Sequence, residues 1–365
     1  MTMRVLHVGK FYPPHPGGME RVVETLCQST RGLVENHVLA TSAGRETIEE
    51  VVDGVQVTRV GTIGTAGSVP IAPAFASRLR TARADLIVLH EPNPWALLSY
   101  AIARPGAPLA VWYHSDVVRP ALQYALFYAP FARFVYGRAR RIVVSSPPLA
   151  AHAAALAAYQ DRVRVIPFGI DPAPWAQAAA APAGGREPFV LFAGRHVGYK
   201  GVDVLLRALA GSAARAVIVG DGPKRAEWER LSRELALDGR VTFTGEVEDA
   251  ELRRLMHACA ALVLPSVTRA EAFGYVQLEA MASSKPVIST DVPSGVSWVN
   301  QHQHTGLVVA AGDAGALGAA IDRLMADAPL RARFGAAGRA RVEEEFTMGR
   351  LRERLLRLYA EAAAC

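Results

Sequence analysis

The stretch RVLHVGKFYPPHPGGMERVVETLCQST, residues 4–30, contains a strand pattern, a loop and a helix pattern in succession. The apolar run RVLHVG (4–9) is typical of a short buried strand, and MERVVETLCQST (19–30) carries apolar residues at helical spacing. Between them, Gly17 and Gly18 are expected to open a helix that begins near Met19. A strand, a glycine-containing loop and a helix in this order make up one repeating unit of a parallel α/β sheet.

The same alternation continues to the end of the chain. Further strand patterns in the first half are NHVLAT (36–41), VQVTRV (55–60), DLIVLH (85–90), PLAVWYH (108–114), RRIVVSS (140–146) and VRVIPFG (163–169). Those of the second half are FVLFAGR (189–195), RAVIVGDG (215–222), VTFTGEV (241–247), AALVLPS (260–266), PVISTDV (286–292) and TGLVV (305–309). We therefore predict an α/β protein of two doubly wound, parallel-sheet, Rossmann-like domains that face a central cleft.

The boundaries of these domains follow from composition. A chain of 365 residues exceeds the usual size of a single core. The segment 171–188 is rich in Pro, Gly and Ala and is predicted to be a linker between domains at 1–170 and 189–347. The amphipathic pattern at 348–365 is expected to form a helix that packs back on the first domain.

Composition also restricts the class of protein. The formal charge is +6 and the chain is 51% hydrophobic, which describes a globular protein and argues against disorder. Cys27, Cys259 and Cys365 lack metal-ligand or redox spacing, as expected in a reducing compartment. The N-terminus has no apolar region of signal-peptide length, and the apolar stretch 120–137 is interrupted by Pro130 and Arg133. We expect a cytoplasmic protein.

The segment EAFGYVQLE (271–279) places two acids around a Phe-Gly pair. One interpretation is a single amphipathic helix with two solvated carboxylates. In the other, Gly274 ends a loop that carries Glu271, and a helix containing Glu279 begins near Tyr275. The free amides of that first turn would then bind an anion between the two acids. Spacing alone does not choose between them.

Two further loops favour binding of phosphate. In AGRHVGYKG (193–201), Arg195 and Lys200 flank glycines at a predicted strand end, so both cations could converge on phosphate oxygens; a solvated basic loop is the alternative. In PPHPGGMER (13–21), Gly17 and Gly18 offer a second helix start to an anion, without the spacing of a Walker loop.

Seven motifs follow one another over nearly the full length of the chain: PGGME (16–20), WYHSD (112–116), IPFGID (166–171), GRHVGYKG (194–201), VGDGP (219–223), EAFGYVQLE (271–279) and TGLVV (305–309). Taken in this order, they resemble the retaining glycosyltransferases of family 4, which have the GT-B fold. The branch that the chain resembles includes bacterial surface-polysaccharide mannosyltransferases.

The resemblance implies roles for individual residues. The second domain would hold a nucleotide-diphosphate sugar, and the first would bind the acceptor. Glu271 would hold hydroxyls of the donor sugar and Glu279 the ribose. The diphosphate would meet the backbone amides of Phe273, Gly274, Tyr275 and Val276. The implied catalytic residues are His114, Glu271, Arg195 and Lys200.

Within that set, Arg195 and Lys200 would neutralise the leaving phosphate, which Gly17 and Gly18 would face from across the cleft. His114 would lie against the donor sugar near its anomeric carbon. Two cations and a helix start can replace a divalent ion, so we expect no metal and no cofactor. His302 and His304 alternate along a loop without a carboxylate or cysteine that would complete a metal site.

The resemblance favours transfer of mannose from GDP-mannose to a lipid-linked saccharide in lipopolysaccharide O-antigen or exopolysaccharide synthesis. The segment 293–306 departs from much of the family, since it has Trp298 and Asn300 where an acidic residue is common. Three alternatives stay open: a UDP-sugar-dependent transferase, a UDP-sugar epimerase of the same fold, and a nucleotide-sugar-binding subunit without catalysis. No nucleic acid partner is expected.

The segment 120–141 interleaves aromatic residues with arginines. It contains Tyr124, Phe127, Tyr128, Phe131, Phe134 and Tyr136 together with Arg133, Arg138, Arg140 and Arg141. This pattern suits an enzyme held on the anionic inner face of the cytoplasmic membrane. A core helix followed by a basic strand start explains the same residues.

Overall fold

A computed structural model describes residues 2–15, 17–67, 69–116, 128–176 and 188–364. The chain divides into two compact units. Unit 1 consists of residues 1–169 with 348–365, and unit 2 consists of residues 170–347. The chain therefore leaves unit 1, builds unit 2 and returns.

Unit 1 alternates strands and helices. Its strands are β1 Arg4–Val8, β2 Glu35–Thr41, β3 Ile48–Val52, β4 Val55–Val60, β5 Gly64–Ala66, β6 Val69–Ile71, β7 Leu86–Glu91, β8 Leu109–Tyr113, β9 Arg141–Val144 and β10 Val163–Val165. Its first helices are α1 Gly18–Ser29, α2 Phe75–Thr81, α3 Pro94–Ala103, α4 Ala129–Arg138 and α5 Pro147–His152, with a 3₁₀ helix at Ala154–Arg162.

The main sheet of unit 1 has the strand order β10-β9-β8-β7-β1-β2-β4-β3. All neighbours pair in parallel except β3, which pairs antiparallel with β4 at the edge. β5 and β6 form a separate antiparallel pair. The chain starts in the middle of the sheet at β1, extends to one side and later continues on the other from β7. The switch point between β1 and β7 is where ligands bind in open sheets of this kind.

Unit 2 repeats the alternation of strands and helices. Its strands are β11 Phe189–Ala193, β12 Arg215–Val219, β13 Val241–Gly245, β14 Ala261–Leu264, β15 Val287–Asp291 and β16 Gly306–Ala310. Its helices are α6 Ala173–Ala176, α7 Val202–Ala210, α8 Arg225–Glu234, α9 Asp249–Ala258, α10 Val276–Ala282, α11 Val296–Val299, α12 Ala314–Ala326 and α13 Ala328–Glu345, with a 3₁₀ turn at Gly198–Lys200.

The sheet of unit 2 is wholly parallel, in the order β13-β12-β11-β14-β15-β16. Its switch point therefore lies between β11 and β14. Every residue of both strands is buried, which explains their unbroken apolar sequences. The helices that cover the sheet start where side chains accept from backbone amides, as Asp313 does from Ala316 and Asp327 from Leu330.

The last helix, α14 Met348–Ala363, belongs to unit 1. It buries the apolar face that contains Leu351, Leu355 and Leu358. Arg140 of unit 1 donates to the carbonyl oxygen of Ala362 at 3.0 Å, and Arg141 pairs with Glu361 at 3.1 Å. These contacts tie the end of the chain to the sheet that its beginning forms.

The structure adds to the prediction for two segments, the linker 171–188 and the aromatic segment 120–141. The predicted linker 171–188 begins with the ordered helix α6, whose Trp175 is buried and which packs against α10; residues 177–187 lie outside the described part. In the segment 120–141, Tyr124 and Phe127 also lie outside it, whereas Tyr128 and Tyr136 are core residues. Across the described ranges, no helix is long and apolar enough to cross a bilayer.

Candidate active site

The loop after β11 packs directly on the loop after β14. Gly201 has φ +67°, and a Cβ there would lie 2.1 Å from the carbonyl oxygen of Pro265, so only glycine fits. The amide of Val267 donates to the carbonyl of Tyr199 at 2.8 Å. Both loops leave the carboxyl ends of their strands, so they meet at the switch point of unit 2.

Lys200 and Glu271 form a buried ion pair at this point. Nζ of Lys200 lies 2.5 Å from Oε2 of Glu271, and the two side chains are only 12% and 9% exposed. The hydroxyl of Ser266 donates to the same carboxylate oxygen at 3.0 Å. Thr290 holds Ser266 in turn through a hydrogen bond to its backbone oxygen. The carboxylate is thus oriented by a cation and a hydroxyl.

Burial and charge interactions together set the protonation of this cluster. Burial lowers the pKa of Lys200, but the charge of Glu271 and the neighbouring Tyr199 outweigh it, so the pKa is raised and the amine stays charged. Burial raises the pKa of Tyr199, whose hydroxyl also feels Lys200, Glu271 and Arg195. Arg195 is exposed, and within the described part of the chain its guanidinium forms no hydrogen bond or ion pair. The positive charge of Arg195 is therefore accessible to a ligand, and that of Lys200, on the same loop, is already oriented by Glu271.

Gly274 makes the turn between Glu271 and α10. It has φ +72°, and a Cβ there would lie 2.5 Å from Cδ2 of Leu264 and 2.7 Å from Nε2 of Gln277. The Gln277 amide donates to the carbonyl oxygen of Phe273 at 2.9 Å, which fastens the loop to the helix. Over the described residues, the backbone amides of Gly274 and Val276 donate to no acceptor, as expected at a helix start.

The prediction of a loop followed by a helix agrees with this geometry, and the interpretation as one amphipathic helix is wrong. The helix begins at Val276, one residue after Tyr275. Neither acid is a solvated surface residue, since Glu271 is buried in the loop and Glu279 is buried within α10. The local fold thus brings Glu271 to Lys200 and keeps Glu279 on the helix.

In unit 1, His114 lies just after β8 and is joined to two other histidines. Its Nε2 lies 2.9 Å from Nδ1 of His90, and Nε2 of His90 lies 3.0 Å from Nδ1 of His7. Burial lowers the pKa of His114 to about 3 and that of His7 to about 4. These imidazoles are therefore neutral at physiological pH.

The glycine pair of unit 1 stands at the start of α1. The helix begins at Gly18, one residue before the predicted Met19. A Cβ on Gly18 would meet no atom of the described residues within 4 Å, whereas one on Gly17 would lie 1.9 Å from a carboxylate oxygen of Glu20. Close packing among the described residues therefore does not require glycine at 18.

Other singled-out residues have structural roles. Gly220 has φ +115°, and a Cβ there would lie 2.1 Å from the carbonyl oxygen of Gly194, so VGDGP packs two loops together. His302 accepts from the amide of Val308 at 3.0 Å, and both His302 and His304 are exposed. Within the described ranges, no cluster of His, Cys, Asp or Glu could hold a metal ion.

Sequence reasoning missed three residues that orient those it found. In the sequence, Ser266 is only a small polar residue at the end of a predicted strand, and nothing there indicates its hydrogen bond to Glu271. His7 and His90 lie inside apolar strand patterns, where a histidine gives no sign of its neighbour. The pairing of β1 with β7, which brings the two together, is long-range and invisible in a local pattern.

Comparison with known proteins agrees with this architecture. The family model described as Glycosyltransferase Family 4 matches residues 16–174, and that described as Glycosyl transferases group 1 matches residues 175–341. O-antigen chain mannosyltransferase C of Escherichia coli is 34% identical over 366 residues, which cover 98% of each chain. D-rhamnosyltransferase WbpZ of Pseudomonas aeruginosa is 35% identical over 84% of this chain and 82% of that protein.

Solved structures share the fold. Sucrose-phosphate synthase from Thermosynechococcus elongatus superposes with a TM-score of 0.84 at 24% identity, covering 99% of each chain. WaaG, a glycosyltransferase involved in lipopolysaccharide biosynthesis, superposes with a TM-score of 0.76 at 20% identity, covering 97% of this chain and 99% of that one. The predictions of family and fold class are confirmed: this chain belongs to the family 4 glycosyltransferases and has the GT-B fold.

Proposed function

We propose that this enzyme transfers mannose, with retention at the anomeric carbon, from GDP-mannose to a lipid-linked saccharide acceptor. The acceptor would belong to lipopolysaccharide O-antigen or exopolysaccharide synthesis. Similarity to an O-antigen mannosyltransferase over 98% of this chain, and to a rhamnosyltransferase over 84% of it, supports this choice of sugar and process. The first unit would bind the acceptor and the second the donor.

The buried Lys200–Glu271 pair at the switch point of unit 2 carries the proposal. When the bond between the sugar and the diphosphate breaks, negative charge develops on the leaving phosphate. Lys200 is held in a site of low exposure, where a positive charge stabilises that developing charge more strongly than in water. Arg195, exposed on the same loop, would add a second cation.

The remaining residues would orient the donor. Glu271 would accept hydrogen bonds from sugar hydroxyls while Lys200 fixes its position, and Glu279 would bind the ribose. The amides of the α10 start would meet the diphosphate, at Phe273, Gly274, Tyr275 and Val276. In unit 1, His114 would lie against the donor sugar, and Gly17 and Gly18 would offer a second anion site at the start of α1.

We propose that catalysis needs no divalent ion, because two cations and a helix start can balance the diphosphate. We also propose that the enzyme works at the cytoplasmic face of a membrane, where a lipid-linked acceptor is presented. Within the segment 120–141, the residues that support contact with the membrane are Phe131, Phe134, Arg133 and Arg138. Arg140 and Arg141 are engaged with α14.

The test is a transfer assay with radiolabelled GDP-mannose, UDP-glucose and UDP-N-acetylglucosamine on lipid extracts, with and without EDTA. We expect transfer from GDP-mannose alone, unchanged by EDTA, and an α-linked product by NMR. Arg195→Ala should reduce the rate by about 10²-fold, as removal of one charge-stabilising group typically does.

Each alternative predicts a different result. Preference for a UDP-sugar would overturn the donor assignment. Interconversion of a UDP-sugar without transfer would indicate an epimerase. Binding of the nucleotide sugar with neither reaction would indicate a non-catalytic subunit. Loss of activity in EDTA that added Mg²⁺ restores would overturn metal independence.

A further inference from the structure

Three imidazoles lie side by side on neighbouring strands of unit 1. His7 is in β1, His90 in β7 and His114 just after β8, and these strands are adjacent in the sheet. The rings are stacked, with centroids 5.3 Å apart between His7 and His90 and 5.2 Å apart between His90 and His114. Two nitrogen–nitrogen hydrogen bonds, of 3.0 and 2.9 Å, join them into one row.

The row is closed to water at one end and nearly reaches the surface at the other. His7 and His90 are 0% exposed, whereas His114 is 8% exposed. Trp112 stacks near both His90 and His114, and Phe168 stacks near His114. Burial also keeps all three rings neutral by lowering the pKa of each.

Neutral imidazoles in series have coupled tautomers. Each ring has one N–H donor and one bare nitrogen acceptor, and each hydrogen bond between rings needs one of each. Only two arrangements satisfy both bonds: all three rings protonated on Nε2, or all three on Nδ1. The group that meets His7 at the buried end therefore selects the tautomer of His114.

That group is Asn36 of β2. Asn36 pairs with Val5 of β1, so its side chain lies on the same face of the sheet as those of Val5 and His7. Its amide nitrogen donates to the carbonyl oxygen of Cys27 at 3.1 Å and to the hydroxyl of Thr30 at 3.0 Å. Its side-chain oxygen is buried and has no hydrogen-bond partner among the described residues. The Asn36 side chain raises the pKa of His7 against the effect of burial, as an acceptor facing an N–H does. A buried acceptor left unsatisfied is unfavourable, so an N–H on Nε2 of His7 is favoured.

We propose that His7, His90 and His114 form a histidine relay in which each ring is protonated on Nε2 and Asn36 is the terminal acceptor. His114 then presents an unprotonated Nδ1, which can accept a hydrogen bond from a hydroxyl group. Within the described part of the chain no other group donates to that nitrogen. His7, His90 and Asn36 are positioning residues. That the hydroxyl belongs to the donor sugar rests on the proposed function; the tautomers do not.

The test is NMR of the full-length protein labelled with ¹⁵N-histidine, without substrate. Long-range proton–nitrogen correlations distinguish the two neutral tautomers, and single His→Phe variants assign the signals. We expect His7, His90 and His114 all to be protonated on Nε2. Any of the three protonated on Nδ1 in the wild type overturns the proposal.

A variant at the far end tests the coupling. Asn36→Leu removes the acceptor and leaves the hydroxyl of Tyr359, which lies 3.5 Å from Nε2 of His7 and can either donate or accept. The fixed Nε2 protonation should then be lost in all three rings together, including His114, whereas Tyr359→Phe should leave the wild-type pattern unchanged. A change confined to His7 would overturn the relay.

If Asn36→Leu does not fold, His90→Phe provides the second measurement, since it keeps the stacking and removes both nitrogens. We expect His114 to lose its single tautomer and show averaged signals; an unchanged His114 would overturn the relay. Intact tautomers in a protein that transfers no sugar would overturn the proposed function alone.

Discussion

Side chains of the candidate site are held in place by charged partners, and burial determines how much each ion pair contributes to stability. The pair of Lys200 and Glu271 is largely removed from water. If one partner is lost, water therefore cannot solvate the charge of the other without a large cost in free energy. By contrast, Lys224 and Glu227 pair at 2.6 Å on the surface, with side chains 41% and 49% exposed. The two pairs have similar distances and should have different energetic weight.

We predict that Lys200→Met lowers the free energy of unfolding by about 3 kcal/mol, because Glu271 is left buried without its cation. The double variant Lys200→Met with Glu271→Gln should recover most of the loss. Lys224→Met is the matched control and should change stability by less than about 1 kcal/mol. Urea unfolding measures all four proteins. Equal midpoints for the two Lys→Met variants would contradict this ranking.

A second buried acid in unit 1 makes stability depend on pH. Glu91, the last residue of β7, is 0% exposed and accepts a hydrogen bond from the hydroxyl of Tyr128 at 2.5 Å. Burial raises its pKa from 4.5 to about 8, against the hydrogen bonds from Tyr128 and Asn93, which lower it. The folded state therefore holds a proton that the unfolded state releases above pH 4.5.

We predict that the wild-type protein loses stability as pH rises, because folding must keep Glu91 protonated, and that Glu91→Gln removes this loss. Between pH 6.5 and 8, wild-type stability should fall relative to the variant by up to about 1.4 kcal/mol per pH unit. The buried histidines act in the opposite sense, since their lowered pKa values reduce stability as pH falls below 6.5. They are common to both proteins and cancel in the difference. Parallel stability curves across this range would show that Glu91 is ionised in the folded state.

Strands and helices differ in how far the sequence reveals them. β4 has the predicted limits because valines begin and end it and Val55 and Val57 alternate with polar residues. The strands of the unit 2 switch point follow from unbroken apolar runs. β3 was missed because its residues are mostly exposed and only its antiparallel pairing with β4 defines it. The β5–β6 pair was missed because each strand has three residues.

The candidate site shows the same division. Arg195, Lys200 and Glu271 could be predicted as candidates from local patterns, the two cations beside glycines at a strand end and the acid two residues before Phe273 of the Phe-Gly pair. That Lys200 and Glu271 pair with each other could not, because it depends on β11 lying next to β14. The partners of His114 stayed hidden for the same reason.

The turn before α10 depends on a single glycine. We predict that Gly274→Ala lowers the free energy of unfolding by about 1–3 kcal/mol, from left-handed backbone strain together with a clash against Leu264. It should also lower the transfer rate, because the helix start shifts away from Glu271. Gly239→Ala is the control: its φ is +77°, and a Cβ there would meet nothing within 4 Å.

Thermal unfolding and the transfer assay together check this prediction. Gly239→Ala should show the smaller stability loss, from backbone strain alone, and an unchanged rate. If both variants lose the same stability and neither loses activity, the shape of this turn does not control the site.

Each of the two units of the chain contains a doubly wound sheet. The surface of unit 1 has exposed arginines beside aromatic residues, which bear on contact with a membrane. Arg133 and Arg138 are exposed, and the guanidinium of Arg138 lies 3.6 Å from the ring centroid of Phe134. Each arginine near an anionic leaflet contributes about 1 kcal/mol to binding. A charged and aromatic face of this kind can bind a membrane without entering it.

We predict that the protein sediments with anionic liposomes at low salt and is released as salt rises. Arg133→Glu with Arg138→Glu should weaken this binding by about tenfold or more, since two favourable charges become unfavourable. Arg230→Glu with Arg233→Glu, two exposed arginines of α8, is the matched control and should bind as the wild type does. Wild-type protein that ignores anionic liposomes at low salt would show that the segment 120–141 serves only the core.

The return of α14 to unit 1 has a consequence for synthesis on the ribosome. Unit 2 is continuous in the chain and can close its core as soon as residue 347 has emerged. The sheet of unit 1 is translated first, but the apolar face that receives Leu351, Leu355 and Leu358 stays uncovered until α14 leaves the exit tunnel. Unit 2 can therefore complete its core before unit 1 does, although domains usually fold from the N-terminus onward during translation. Tyr359 can reach His7 only after α14 has emerged, so the buried end of the histidine row stays open until then.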